Sequence, residues 1–68
     1  MSAKDKNGVA LREGMRVIDE REREGTVLSH VGPYRVYVLW DGETDDELES
    51  AERLTIVSEV HYVRRRRG

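Results

Sequence analysis

Apolar residues in this chain recur at every second position over short stretches, and glycine or a Gly-Pro pair stands at the breaks between the stretches. Met15 and Val17 share one face after Gly14, and Val27, Ser29 and Val31 do the same after Gly25. The clearest alternation is "YRVYVLWDG". Tyr34, Val36, Val38 and Trp40 fall on one face of this strand, and Arg35, Tyr37 and Leu39 on the other. Gly32-Pro33 introduces the strand and Asp41-Gly42 ends it, a pair suited to a tight hairpin because glycine accepts positive φ. The chain then returns through Asp45 to Ser50 as an antiparallel edge strand, which turns Leu48 inward and its charges to water. Between the first two strands, "DEREREG" reads as a solvated hairpin tip whose charge pairs contribute about 0 to 1 kcal/mol each. Ser50 is placed to cap a single helical turn through Ala51, Glu52 and Arg53. Leu54 to Val57 then forms a closing strand, with the period leaving open whether Leu54 or Val57 faces inward. Val60, Tyr62 and Val63 either prolong that strand or form another.

Short strands spaced roughly 8 to 12 residues apart predict an all-β fold, and in so short a chain five of them make a small barrel. The pattern divides the chain into a disordered lead-in over residues 1 to 10, a barrel over 11 to 60 and a basic tail over 61 to 68. In order come "GMRV", "EGTV", "YRVYVLWDGE", a polar strand and a one-turn helix before "LTIV". This order resembles the SH3-like barrels of Tudor-like and KOW-like type over residues 13 to 58. The resemblance implies a five-stranded barrel with a short helical turn before the last strand. It implies a binding role, since barrels of this type bind methylated peptides, RNA, DNA or other proteins. The strict KOW signature is not met, because "VIDEREREGTV" carries four acids.

Composition narrows the classes. At 68 residues a single domain buries only about 60% of its unfolded surface, which leaves little room for an enclosed active site. No apolar run approaches the roughly 18 to 20 residues of a spanning helix, and "MSAKDKNG" has no apolar signal core, so a cytoplasmic address is expected. The absence of cysteine removes disulfides and thiolate metal sites. Net charge is -2, but it is segregated: apart from Arg64 to Arg67 the chain holds 8 basic and 14 acidic residues, a body at -6 with a +4 tail.

The candidate chemistry is binding. His30 and His61 lie in separate strands without zinc-module spacing and fit partly exposed strand positions, so neither metal nor cofactor is expected. The acids from Glu43 to Glu49 lack the spacing of a calcium loop and the desolvation that acid-base catalysis needs, and no enzymatic activity is expected. There is no Phe, which assigns Trp40, and Tyr34 with it, to the core rather than to an aromatic cage. Arg35, Tyr37 and Leu39 form an outward stripe, the candidate docking surface for a protein partner within a larger complex. The edge formed by Asp45, Asp46, Glu47 and Glu49 is a second such surface. Arg64, Arg65, Arg66 and Arg67 form an arm that, with Arg35, supports the alternative function of binding nucleic acid. Protein docking is the reading favoured, since a body at -6 repels phosphate.

Overall fold

A computed structural model of the chain describes residues 3–58. Five strands form one antiparallel sheet: β1 (Arg16–Ile18), β2 (Glu24–Val31), β3 (Arg35–Trp40), β4 (Glu47–Ser50) and β5 (Thr55–Ser58). A 3-10 turn over Ala51–Arg53 separates the last two. The fold is all-β, with the helical turn where the sequence pattern places it. The order across the sheet is β4-β3-β2-β1-β5. Here the expected barrel is corrected: the sheet is not closed. Among the described residues β4 pairs with β3 and β5 pairs with β1, and the 3-10 turn breaks the chain between them before the two edges can align.

One face of the sheet carries the core. Opposed residues in an antiparallel ladder share a face, so Val17, Gly25 and Trp40 form one inward row, Val27 and Val38 the next, and Val36 follows. Trp40 is 1% exposed, and the four valines are fully buried. Leu54 settles the open question about the last strand, since it is buried while Val57 is exposed. Leu28 is a bulge. The register shifts between Val27 and Ser29, so Val27 points inward while Ser29 and Val31 pair with Tyr37 and Arg35 on the outer face, against the simple alternation expected of β2.

The lead-in is also corrected, because residues 3–11 fold. Ala3 and Leu11 are fully buried in the core, and the Leu11 N–H donates to the Ala3 carbonyl at 2.9 Å. The cause is Asp5, whose Oδ1 accepts from the N–H groups of Asn7 at 2.9 Å and Val9 at 2.8 Å. Such a carboxylate replaces the backbone partners of a turn, and Gly8 supplies the φ of +83° that reverses the chain. Asp5 Oδ2 also accepts from the Ile56 N–H at 3.4 Å, and the Lys6 N–H donates to the Leu54 carbonyl at 2.8 Å, tying this turn to the last strand. Asp5→Ala is expected to cost about 1 to 3 kcal/mol by stranding the part-buried N–H groups of Asn7, Val9 and Ile56, with Asp5→Asn costing less because one acceptor survives. Urea unfolding read by circular dichroism checks this. An unchanged midpoint for Asp5→Ala would detach residues 3–11 from the cooperative unit.

Four further expectations are revised. Tyr34 is 78% exposed, because β3 begins at Arg35 and the preceding turn carries the ring off the inward face. Leu48 is 41% exposed and stands opposite Tyr37, on the outer face rather than inside. The β3–β4 connection is longer than a tight hairpin. The Glu43 N–H closes a turn onto the Trp40 carbonyl at 3.0 Å with Gly42 at φ +89°, but pairing with β4 starts only at Glu47. Ser50 occupies the cap position of the 3-10 turn without a side-chain capping bond.

Candidate binding surface

The outer face of β2, β3 and β4 gathers the predicted stripe and extends it. Along β3 the side chains alternate between the two faces, so Arg35, Tyr37 and Leu39 project together, Arg35 exposed and the other two half-buried. Cross-strand pairing places Ser29 and Leu48 on either side of Tyr37. Leu28, 40% exposed in its bulge, lies beside this row. Tyr37, Leu39 and Leu48 thus form an apolar patch drawn from two strands, with Arg35 at one end. Leu48 could have been assigned to it from the sequence only if the register of β4 were known, since a shift of one residue moves it to the opposite face.

The acidic edge does not act as one surface. Asp45, Asp46 and Glu47 are exposed, but Glu49, on the same face of β4 as Glu47 and opposite Val36, is half-buried. There its Oε2 accepts from Trp40 Nε1 at 3.1 Å and lies 3.9 Å from Arg23. Arg23 is therefore more than part of a soluble tip. Its guanidinium lies 4.5 Å from the centroid of the Trp40 ring and donates from Nε to Asp19 Oδ2 at 2.8 Å. Asp19 organises the turn, its Oδ1 accepting from the N–H groups of Arg21 and Arg23. Burial alone would raise the Asp19 carboxyl, but the backbone and side-chain donors of Arg23 and the N–H of Arg21 outweigh it and hold the group below the ordinary carboxylate range. The charges of "DEREREG" thus cap the end of the core.

A second cluster ties the β3–β4 connection to the sheet. Arg16 donates to both carboxylate oxygens of Asp41, to Thr26 Oγ1 at 2.9 Å and to Glu24 Oε2 at 3.1 Å. The hydrogen bonds from Arg16 lower the Asp41 carboxyl, and those to Asp41 raise the Arg16 guanidinium. His30 is half-buried, its Nε2 lying 2.7 Å from the Leu11 carbonyl oxygen, so it serves as a link to the N-terminal turn. His61 and Arg64 to Arg67 lie outside the described residues.

A cleft that sequence reasoning missed runs between the N-terminal turn and the start of β3. It is lined by Lys4, Asp5, Lys6 and Gly8 on one side and Pro33, Tyr34, Ser50 and Glu52 on the other. The signal for it was "KDKNG", an Asp-x-Asn-Gly turn flanked by lysines. No helix among the described residues is long and apolar enough to cross a membrane. Compared with protein-family models, curated proteins and solved structures, the chain matches none.

Proposed function

We infer that the protein is a non-catalytic binding module of SH3-like type, working in the cytoplasm, that docks onto a protein partner within a larger complex through the outer face of β3 and β4. The observation that carries this reading is the cross-strand row of Tyr37 and Leu48, flanked by Leu39 and Leu28, which no strand among the described residues covers on the outer face. Aromatic anchors such as Tyr37, with arginines beside them, carry much of the energy of protein interfaces, and the surrounding aliphatic side chains exclude water from them. Arg35 has no ion-pair partner among the described residues, so the fitting partner brings an apolar segment with a carboxylate beside it. The 3-10 turn ahead of β5 supports the SH3-like assignment.

The test is capture from the native lysate after nuclease treatment, with the parent chain and Tyr37→Ala compared. The parent retains a protein partner, and Tyr37→Ala binds it about 5- to 30-fold more weakly, a loss of about 1 to 2 kcal/mol, while its melting temperature stays close to that of the parent. A folded Tyr37→Ala protein that holds the partner normally would remove this face as the docking surface.

A further inference from the structure

Residues 4 to 6 alternate in burial: Lys4 and Lys6 are exposed, and Asp5 between them is buried against backbone N–H groups. The carboxylate is thereby occupied, and both lysines line the cleft. Their Cα atoms are two residues apart and so no more than about 7 Å from each other. Across an open cleft of about 710 Å³ stand Pro33, Tyr34, Ser50 and Glu52. The Tyr34 ring is 78% exposed while its backbone is held, its carbonyl accepting from the Ala51 N–H at 2.9 Å. The opposite wall is held as firmly, by the Lys4–Ala10 bridge and the Lys6–Leu54 hydrogen bond. Among the described residues neither lysine is in an ion pair. The cleft therefore offers an aromatic face and two cations on a fixed backbone, at a place that the docking face does not use.

We propose that this cleft binds single-stranded nucleic acid, with one base stacked on Tyr34 and its two flanking phosphates neutralised by Lys4 and Lys6. Base stacking on an exposed aromatic ring is tolerant of sequence, and the lysine spacing suits successive phosphates of an extended strand. Glu52 at the rim is an acceptor for the N3–H of a stacked thymine. The exposed acids from Glu43 to Glu47 begin about 13 Å from Tyr34 along β3, since Glu47 pairs with Val38, and that is about one and a half Debye lengths at physiological salt; among the lining residues Glu52 is the exposed acid. A duplex keeps its bases stacked inside and cannot offer one to Tyr34.

Fluorescence anisotropy of a short labelled oligothymidylate tests the proposal on the full chain, in which Arg64 to Arg67 are the same in every variant. The parent binds the single strand more tightly than a duplex of the same length. Tyr34→Ala weakens single-strand binding about tenfold, and Tyr34→Phe restores it, because the ring is what stacks. The double variant Lys4→Gln, Lys6→Gln flattens the slope of log affinity against log salt by about 1.4, the share of two single-strand phosphate contacts. The exposure of all three side chains keeps these variants folded, which circular dichroism verifies. The proposal is overturned if the parent does not bind the oligonucleotide, or if binding is insensitive to Tyr34→Ala. It is equally overturned if thymidine monophosphate or polyglutamate displaces the strand at equal concentration, which would make the ligand a free nucleotide or an acidic peptide.

Discussion

Trp40→Ala is expected to leave the chain largely unfolded at room temperature. Truncating a large buried aromatic costs about 3 to 5 kcal/mol, and a domain of this size has roughly 3 to 10 kcal/mol of stability in total. The loss goes beyond volume. Trp40 is the largest fully buried side chain, its indole N–H donates to Glu49, and its ring carries the Arg23 guanidinium. Removing it leaves Arg23 and Glu49 over a void at the end of the sheet. Trp40→Phe separates these contributions: it keeps most of the apolar volume, loses the hydrogen bond to Glu49 and should fall between the parent and Trp40→Ala. The chain has one tryptophan, so unfolding is followed by circular dichroism in urea rather than by fluorescence. A Trp40→Ala protein with a melting temperature near that of the parent would refute the core described above.

The second large effect comes from the residue facing that ring. Gly25 pairs with Trp40 across the β2–β3 ladder, and a Cβ there would stand 2.7 Å from the Leu39 carbonyl oxygen, 2.8 Å from Trp40 Cε3 and 2.9 Å from Trp40 Cα. Two of these three atoms are backbone in the middle of the sheet, so they yield only by breaking ladder hydrogen bonds. Gly25→Ala is expected to cost about 3 kcal/mol, at the upper end of what overpacking a core costs, although alanine has the better intrinsic conformational entropy. The urea midpoint measures it. A change within about 0.5 kcal/mol of the parent would mean that β2 and β3 do not approach this closely at Gly25.

The two residues differ in how far the sequence announces them. Trp40 is legible, since it ends an alternating run in a chain without phenylalanine and alternation alone turns it inward. Gly25 reads only as strand punctuation, because nothing local says that an indole will lie against its Cα. The outer stripe divides in the same way. Arg35, Tyr37 and Leu39 follow from the period of β3, whereas Leu48 depends on which residue of β4 opposes Tyr37, and the length of the Asp41–Asp46 connection sets that. The acidic edge misled for the same reason. Glu47 and Glu49 share a face that the β4 register turns toward Val38 and Val36, where Glu49 finds a donor in Trp40.

Legible in the sequence are the strands, the glycines at the breaks between them, the 3-10 turn before the last strand and the inward face of β3. These depend on side-chain period and on glycine conformation, which act over a few residues. Tertiary structure alone decided that the sheet stays open, that a bulge at Leu28 reverses the faces of β2 and that Tyr34 is carried out to solvent. It also decided that Asp5 fastens residues 3–11 onto β5 and that Lys4 and Lys6 come to face Tyr34. All but the exposure of Tyr34 rest on contacts between different segments of the chain, and no local pattern encodes the distance between Asp5 and Ile56.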